Sequence, residues 1–497
     1  MRLCPALALA LCLGLGWRLG LGLSALVCRP AGLGGRILAA ELPQGPNIVR
    51  IALDLGQAAV SLTAREGAYS ITDLSGGQEI GELAAGQQLS VSPSGSGLRA
   101  AAGGNTLTGG ARLLLTPRTE GAGLLAYGSR VYRGSLLLEN SGGGINVINA
   151  LDVELYLLGV VPMEMGISTA PSEALKTQAV ISRTYALKHK NSAAAYDLTD
   201  GGNDQVYGGY SNERPYTTAA VEATAGQAIY YDGQLIEAFF SANAGGYTES
   251  AENVWNSALP YAKATPSPED NTAQRWPQDS SGYPGSSYHW QVRYTIADLE
   301  TRIARWNRDN PNIPINIGQL RQIRGYAYAY NPATGAITDQ PNASGRITRL
   351  ELVGSGGTQA VHRESVRTLL GLRSSLFTIT PEGGVIAYNG VGGAAPMSRS
   401  IRDSVALGAA AAQAMPINPG RDSFFVMTAA GLKEMSKDAA GAVTAYTLDG
   451  YGYGHGVGLS QWGAIGMAEK GMTYGQIIEH YYNQGKNDGR LAVRAAG

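Results

Sequence analysis

Residues 159–189 read GVVPMEMGISTAPSEALKTQAVISRTYALKH, and this stretch decides how the rest of the chain is interpreted. It opens with an apolar run that contains one carboxylate, Glu164. Pro171 suits the first turn of a helix, because its missing N–H would have no partner there, and Glu173 lies at the positive end of the helix dipole. The sequence therefore predicts a helix of about five turns after Pro171.

Two cations share one stripe of this predicted helix. Lys176 and Arg183 fall on a column with Val180 and Leu187, beside a small, apolar face that reads as packed. Cations next to a buried face are a local conflict of the kind expected at functional sites. The alternatives are that both cations extend along the stripe into water, and that Glu164 is a solvated residue at a strand end.

The composition is that of a globular protein. The 497 residues are 44% hydrophobic and only 15% charged, and the chain is long enough for two or three domains. The 68 glycines, with short alternating apolar runs between them, favour strands and tight turns over long helices. We therefore expect a β-rich protein with few long helices.

Residues 1–40 resemble an export signal. They contain four arginines, no acid and an apolar run, and they end in the small residues Ala39 and Ala40. An uncleaved membrane anchor is the alternative. The three cysteines lie here, and lipid attachment at Cys28 is conceivable, although the residues before it form a poor lipobox.

Removal of this segment would leave a chain without cysteine. A disulfide framework, a thiolate metal site and a cysteine nucleophile would then be impossible. Subtracting four arginines from the net charge of −1 leaves −5. Nucleic acid is therefore not expected as a partner, and a weakly charged polymer suits this surface better.

Alternating patterns predict the order of elements along the chain. A strand through INVINALDVELYLLGVV is expected to lead directly into Glu164. A hairpin is expected to turn at Asp232-Gly233. The remaining predicted strands are Asn47–Leu55, Tyr69–Asp73, Gln88–Val91, Ala111–Leu115, Arg346–Val353, Phe377–Thr380 and Val385–Asn389. The further predicted helices are Thr217–Ala225, Ile296–Asn307, Ile317–Ile323 and Arg363–Leu370, while residues 397–444 are the least constrained.

Polar groups recur in three later segments. A polar loop at residues 196–210 contains Gln205 and Tyr207, and the hairpin leads to Ser241, Gly245 and Gly246. The segment YGYGHGVGLSQWGAIGMAEKGMTYGQIIEHYYNQ, residues 451–484, surrounds an imidazole, an amide and an indole with glycines. These are the side chains of His455, Gln461 and Trp462.

The glycine-rich segment has two alternative interpretations. A nucleotide site is not indicated, because the segment contains no G-x-x-x-x-G-K-[ST] pattern and no G-x-G-x-x-G pattern between a strand and a helix. No second histidine lies at a liganding spacing from His455, so a hydrogen-bonding role is preferred to a metal ligand.

Ser182 and Ser241 suggest an acyl hydrolase as another alternative, but neither lies in a G-x-S-x-G turn.

Several motifs together resemble one protein family. They are ELYL with GVVPMEM, the helix EALKTQAVISRTYAL, FFSANAGG with Val254-Trp255, the strand SGRITRLELVG, and GHGVGLSQWGAIGMA. In this order, over about residues 45–485, they resemble the stage II sporulation protein D family, also called the SpoIID/LytB or amidase-enhancer family.

The resemblance implies work on the bacterial cell wall. Members similar to this chain are lytic transglycosylases that cut peptidoglycan between N-acetylmuramic acid and N-acetylglucosamine, with a preference for glycan stripped of its stem peptides. The family's catalytic glutamate corresponds to Glu164 in VPMEM. Some members bind zinc through downstream Cys and His residues, which residues 197–209 lack here, so neither a metal nor another cofactor is expected.

The residues agree with this chemistry. A carboxyl beside apolar side chains has its charged form disfavoured, so it can remain protonated and donate to a leaving oxygen. A lytic transglycosylase needs no second carboxylate, because the muramic C6 hydroxyl is the nucleophile. Lys176 and Arg183 would position substrate oxygens or hold the loop that carries Glu164. The candidate substrate-binding residues are Lys176, Gln178, Ser182, Arg183, Tyr185, Gln205, Tyr207, Ser241, Gly245, Gly246, His455, Gln461 and Trp462. Of these, Tyr207, Trp462 and Gln461 are expected to stack on the sugars or to hydrogen-bond to them.

The predicted fold class is α+β: a β-rich antiparallel core with a central helix after the catalytic loop, plus smaller β and α/β subunits. The predicted organisation is a signal or anchor at 1–40, a β-rich part at 41–130, a catalytic core at 131–260, a second α+β unit at 261–445, and a C-terminal motif at 446–497 that completes the core. The expected partners are peptidoglycan glycan strands, with export to the periplasm, cell wall or exterior. The alternative function is a non-catalytic, peptidoglycan-binding enhancer of a cell-wall amidase.

Overall fold

The computed structural model describes residues 43–119, 121–255, 257–382 and 443–496, together with the backbone of four short strands between residues 405 and 436. The predicted signal or anchor at 1–40, the predicted strand Val385–Asn389 and most of residues 397–444 lie outside the described residues. The fold is mixed α+β with several antiparallel sheets, as predicted. The predicted domain boundaries stay predictions.

The N-terminal part is built from two antiparallel sheets. One has the order β1-β12-β11-β8-β3-β4 and the other β10-β9-β2-β5-β6-β7. Alternate residues of the strands are buried in a common apolar core, as in Leu62 and Ala64 of one sheet and Ile51 of the other. The strands are β1 (Ile48–Gln57), β2 (Val60–Glu66), β3 (Tyr69–Asp73), β4 (Gln78–Leu83), β5 (Gln88–Ser94), β6 (Gly97–Ala102), β7 (Asn105–Gly109), β8 (Arg112–Pro117), β9 (Leu124–Tyr127), β10 (Arg130–Tyr132), β11 (Ser135–Asn140) and β12 (Ile145–Asp152).

The next part holds the helices around the candidate site. Short strand β13 extends the first sheet in parallel to β1, and the predicted hairpin joins β14 and β15, with Asp232 and Gly233 both at positive φ. The elements are α1 (Val153–Glu164), α2 (Ser172–Lys188), β13 (Leu198–Thr199), a 3-10 helix (Tyr210–Asn212), α3 (Pro215–Ala223), β14 (Gln227–Tyr231), β15 (Gln234–Leu235), β16 (Phe240–Ser241) and α4 (Ala251–Val254).

A second apolar core lies around β17, α6 and the strands that follow. Sheets of order β17-β28-β23 and β18-β21-β22 enclose it. The elements are a 3-10 helix (Pro268–Arg275), α5 (Gly285–Tyr288), β17 (His289–Thr295), α6 (Ile296–Asp309), β18 (Leu320–Tyr326), β19 (Tyr328–Tyr330), β20 (Ile337–Pro341), β21 (Arg349–Gly354), β22 (Gly357–His362), α7 (Glu364–Leu370), β23 (Phe377–Glu382), β24 (Val405–Leu407), β25 (Ala414–Pro416), β26 (Ser423–Thr428), β27 (Gly431–Ser436) and β28 (Ala445–Tyr451).

The C-terminal segment returns to the first core. Strand β29 pairs with β16 in parallel, and β30 pairs with β14 in antiparallel register. Helix α2 contacts α1, α3, α8 and α9, which confirms the prediction of a central helix. The elements are β29 (Leu459–Ser460), α8 (Gln461–Glu469), α9 (Tyr474–Asn483) and β30 (Leu491–Ala495).

Two element predictions are wrong. The strand expected to run into Glu164 ends at Asp152, whose carboxylate caps α1 by accepting from the Glu154 N–H at 2.8 Å. A continuous apolar run fits a buried helix as well as a buried strand, so its period does not separate the two. The helix expected at Ile317–Ile323 is instead strand β18, because Gly318 at φ +67° interrupts the segment and β21 pairs with the rest.

Candidate active site around Glu164

Glu164 is the last residue of α1, not part of a loop as the sequence indicated. Its side chain is half-buried, and the next residue, Met165, is fully buried in an apolar cluster. The carboxyl end of a helix carries a partial negative charge, which disfavours a carboxylate. Burial and the position at the helix end therefore both disfavour the ionised form of the Glu164 carboxyl.

Each oxygen of Glu164 has a hydrogen-bond donor. The backbone N–H of Val206 donates to Oε1 at 2.8 Å, and Nε2 of Gln461 donates to Oε2 at 3.4 Å. Burial raises the pKa of Glu164 above its usual value, and these two donors, which favour the ionised form, offset part of that effect. The result is a carboxyl group that is more basic than an exposed glutamate and remains able to ionise.

A line of side chains extends from Glu164 into the helix layer. The Gln461 amide also donates to Oε1 of Gln178 at 3.2 Å, and Nε2 of Gln178 donates to the Ser182 hydroxyl at 3.0 Å. Because the Gln178 amide uses its nitrogen on Ser182, its oxygen faces Gln461, and Gln461 must present its nitrogen. The structure thus brings together four predicted site residues, Glu164, Gln178, Ser182 and Gln461.

Arg183 is a structural clamp. Its guanidinium is fully buried and donates to both carboxylate oxygens of Glu154 at 2.6 Å, and to the backbone oxygen of Gln227 at 3.1 Å. Of the two roles considered for this residue, these contacts favour holding the segment that carries Glu164. The role of Arg183 in positioning substrate oxygens is not supported, because its donors point into the protein.

Lys176 lies nearer the surface of α2. Its ammonium pairs with Glu173 at 2.7 Å, and Glu173 also accepts from the backbone N–H of Tyr474 at 2.8 Å. These bonds join α2 to the start of α9. A substrate-binding role for Lys176 stays a prediction.

The polar loop after α2 contributes a backbone donor and packing groups. Tyr207 is buried, and its hydroxyl donates to Asn149 at 2.9 Å, so the expected stacking of this ring on a sugar is not supported. Gln205 accepts from the Tyr156 hydroxyl at 3.4 Å, and its buried Nε2 has no hydrogen-bond partner among the described residues. The Tyr185 hydroxyl donates to Asp204 at 3.2 Å. The residue of this loop that reaches Glu164 is Val206, through its backbone.

A second buried network lies behind Gln461, centred on Asp270. Its carboxylate accepts from the Ser460 hydroxyl and from the backbone N–H of Gly246, the latter at 2.8 Å. Burial raises the pKa of Asp270 to about 6. Because Ser460 caps α8, this network fixes the helix whose first residue is Gln461.

The residues predicted after the hairpin support this network. A side chain at Gly245 would approach the Tyr451 backbone within 2.8 Å, so this glycine permits close contact between two loops. Gly246 donates to Asp270, as described above. Ser241 is buried, its hydroxyl has no hydrogen-bond partner among the described residues, and its place in a substrate site stays a prediction.

His455 and Trp462 are packed groups. The His455 ring lies 4.9 Å from Trp255, its Nδ1 accepts from the Val457 N–H at 3.0 Å, and burial lowers its pKa to about 3, so it is neutral at ordinary pH. Trp462 is only 2% exposed and packs edge-on against Trp276, so sugar stacking on Trp462 is not supported. Gln461 is the member of the C-terminal motif that reaches Glu164.

Comparison with known proteins finds similarity to one family. A profile described as Stage II sporulation protein, SpoIID, matches residues 141–231. The chain is 29% identical over 326 residues to the amidase enhancer of Bacillus subtilis (strain 168), covering 66% of this chain and 39% of that protein. It is 26% identical over 352 residues to the stage II sporulation proteins D of B. subtilis (strain 168) and B. amyloliquefaciens, covering 67% of this chain and 74% of each relative. The chain is similar to the SpoIID family over residues 141–231.

The SpoIID match has a clear relation to the site. It contains Glu164, Gln178, Arg183 and Val206, whereas Gln461 lies outside it. The matched segment thus supplies the acid and its backbone donor, and the second donor comes from a distant part of the chain. The aligned region spans less than half of the amidase enhancer's length.

Three contributors to the candidate site were missed from the sequence. They are the Val206 backbone, Glu154 and Asp270. A backbone donor leaves no side-chain signal in the sequence. Glu154 occurs in the quoted motif ELYL, and Asp270 lies in a polar segment where one more carboxylate does not stand out. Both carboxylates gain their roles from partners distant in sequence, Arg183 and Ser460.

Two negative observations complete the description of the candidate site. Among the residues that the structure describes, no three His, Cys, Asp or Glu side chains are grouped so that they could hold a metal ion. Across those same residues, no helix has both the length and the apolar character needed to cross a membrane.

Proposed function

We propose that this protein is an exported peptidoglycan lytic transglycosylase that cuts between N-acetylmuramic acid and N-acetylglucosamine, with Glu164 as its single acid and base. The observation that carries the proposal is the half-buried Glu164 carboxyl, whose pKa is raised by burial while each oxygen accepts one hydrogen bond. Similarity to the SpoIID family supports a cell-wall context.

The reaction requires one group that first donates and then accepts a proton. Protonated Glu164 donates to the bridging oxygen as the bond from muramic C1 to that oxygen breaks, which releases the N-acetylglucosamine O4 as a hydroxyl. The muramic C6 hydroxyl then bonds to C1, and ionised Glu164 takes its proton. Atoms and charges balance without water, and the product ends are 1,6-anhydromuramic acid.

The surroundings of Glu164 suit both half-reactions. Burial raises the pKa of the carboxyl and so favours the protonated form that proton donation requires. The N–H groups of Val206 and Gln461 stabilise the carboxylate that forms when the proton leaves. Without burial, Glu164 would donate its proton less readily to the bridging oxygen. Without the two N–H donors, its carboxylate would be less stable after the proton has left.

A second carboxylate is not needed for this route. Within the described residues, no Asp or Glu forms a hydrogen bond with Glu164. Asp204 lies in the same loop as Val206, but its oxygens already accept from Thr199 and Tyr185. The proposed route therefore assigns both proton transfers to Glu164 alone.

The decisive experiment uses peptide-free glycan strands. The purified protein should release fragments with 1,6-anhydromuramic ends, which mass spectrometry identifies. Glu164→Gln should abolish release while strand binding is retained, because the amide keeps the size of the side chain but cannot donate a carboxyl proton. Gln340→Glu, an exposed change of the same pair of residue types, is the matched control and should leave release unchanged.

The second candidate is a non-catalytic enhancer of a cell-wall amidase, which the name of the B. subtilis amidase enhancer favours. Under this alternative the protein binds glycan and stimulates an added amidase, and neither wild type nor Glu164→Gln releases anhydromuramic ends. Binding without release would therefore reject the transglycosylase and leave the enhancer.

A further inference from the structure

Exposed tyrosines form a surface at the edge of the helix layer. Tyr283, Tyr451 and Tyr453 have exposed fractions of 38%, 39% and 43%, in a protein that exposes few other large apolar side chains among its described residues. Half-buried Tyr288 lies between them, with its ring centroid 5.5 Å from that of Tyr451. We call Tyr283, Tyr288, Tyr451 and Tyr453 the tyrosine platform.

The platform adjoins the candidate active site. Tyr288 packs on the apolar cluster that contains Met165, the residue after Glu164, and Trp462, the residue after Gln461. The Tyr283 ring lies 6.4 Å from that of Trp462. A polymer bound at Glu164 and extended in this direction would meet the platform.

The backbone beneath the platform is held on both sides. Tyr453 exchanges two backbone hydrogen bonds with Asn243, at 2.7 and 3.1 Å, and the N–H of Gly452 donates to Tyr288 O at 2.8 Å. Gly452 and Gly454 have φ of +85° and +109°, which other residues rarely adopt. The rings are therefore presented by an ordered backbone, and a ligand would meet little ordering cost.

One cation lies at the far end of the platform. The Arg373 guanidinium lies over the Tyr453 ring, 5.9 Å from its centroid, and it lines a cavity of about 390 Å³ together with Trp290 and Tyr294. Among the described residues Arg373 forms no ion pair with a carboxylate, and its Nη1 donates to the backbone oxygen of Ser286. Two nearby acids are already engaged, Asp449 by His289 and Asp279 by the turn that precedes Tyr283.

We infer that the tyrosine platform, with Arg373, binds the glycan strand beyond the sugars held at Glu164. Aromatic rings offer the flat apolar surface on which pyranose rings stack, and tyrosine adds a hydroxyl for the sugar oxygens. Peptide-free glycan keeps one lactyl carboxylate on every muramic acid, which a cation such as Arg373 can recognise. The choice of glycan as the occupant rests on the proposed function.

The test measures binding in the full-length Glu164→Gln background, where strands are not consumed. Added Tyr451→Ala and Tyr453→Ala should together weaken binding of long peptide-free strands about tenfold or more. Tyr210→Ala is the matched control, because Tyr210 is 37% exposed but lies against Arg133 rather than on the platform. Unchanged thermal unfolding would show that the variants fold.

A second arm isolates the cation. Arg373→Gln should weaken binding of peptide-free strands more than binding of N-acetylglucosamine oligomers, which carry no lactyl group. Equal losses for both ligands would contradict recognition of the carboxylate by Arg373. Strand binding equal to that of the parent in the double tyrosine variant, or an equal loss in Tyr210→Ala, would overturn the platform.

These outcomes separate the platform from the proposed function. If wild type releases anhydromuramic ends and the double tyrosine variant binds normally, the platform is rejected and the transglycosylase stands. If wild type releases nothing but the double variant loses strand binding, the platform stands and the transglycosylase is rejected. If strand binding is kept and only stimulation of an amidase is lost, the surface binds protein and the inference fails.

Discussion

Arg183 in α2 donates two hydrogen bonds of 2.6 Å to the carboxylate of Glu154 in α1. Glu154 lies ten residues before Glu164, where α1 ends. The guanidinium is fully buried, whereas Glu154 keeps a side-chain exposure of 31%. The pair therefore fixes the register of the two helices that carry Glu164 and Gln178. Its main role is to keep the acid and the amide network at a constant separation.

Loss of this pair should destabilise the protein. Arg183→Met leaves Glu154 without its partner and should lower the free energy of unfolding by about 3 kcal/mol, measured by denaturant titration. Glu154→Met in the same chain should recover part of the loss. Arg490→Met, which breaks the exposed pair with Asp232, should change stability far less. Equal losses at the two sites would contradict the structural role of Arg183.

A methyl group at Gly159 should disturb the Val206 loop. An added Cβ would lie 2.7 Å from the Tyr207 ring and 3.0 Å from the Gly209 backbone, so Gly159→Ala should cost about 1–3 kcal/mol. Glycan cleavage should fall as well, because the same loop supplies the N–H that holds Glu164. Gly201→Ala, in open space within this loop, is the control for both measurements. Wild-type behaviour of Gly159→Ala would show that the loop adjusts freely.

Gln461 should set the alkaline limit of activity. Proton donation requires protonated Glu164, so the rate should fall as pH rises through the pKa of that carboxyl. Gln461→Leu removes a donor that favours the ionised form, so this pKa rises further and the descending limb should move to higher pH. The measurement is kcat/KM against pH on peptide-free strands. If the rate falls but the descending limb of the pH profile does not move, Gln461 acts through packing and does not influence the pKa of Glu164.

Asp270 should make stability depend on pH. The folded state keeps the Asp270 proton up to about pH 6, whereas an ordinary aspartate loses it near 3.8, so the folded state binds more protons in between. Stability should therefore decrease by about 3 kcal/mol as pH rises from about 4 to 6. Asp270→Asn should flatten this slope, whatever its effect on absolute stability, while exposed Asp339→Asn should leave it unchanged. Parallel slopes for wild type and Asp270→Asn would contradict the assignment.

Local patterns predicted much of the fold. Pro171 precedes α2 as expected, and the Asp232-Gly233 turn and strand β3 lie where the sequence places them. These elements depend on short-range preferences of the backbone. The helix at 153–164 was missed because its apolar run is nearly continuous and has no clear period, although Asp152 at its start carried a capping signal.

Part of the candidate site was predicted because two of its residues differ from their sequence neighbours. Glu164 stands out as one carboxylate in an apolar run, and Gln461 as one amide among glycines. Whether a tyrosine or tryptophan presents a face to solvent depends on tertiary packing, which removed Tyr207 and Trp462 from the stacking groups and left Tyr451 and Tyr453 exposed. Residue type alone does not contain that information.

The hydrogen bond between Gln461 and Glu164 joins residues that are 297 positions apart. Ribosomes deliver a chain from its amino end, so α1 and α2 exist well before the amide that completes their acid has been synthesised. Closing a loop of that size is also a slow and late step in folding. A growing chain would therefore carry Glu164 without its second hydrogen-bond donor until nearly all of it had been made.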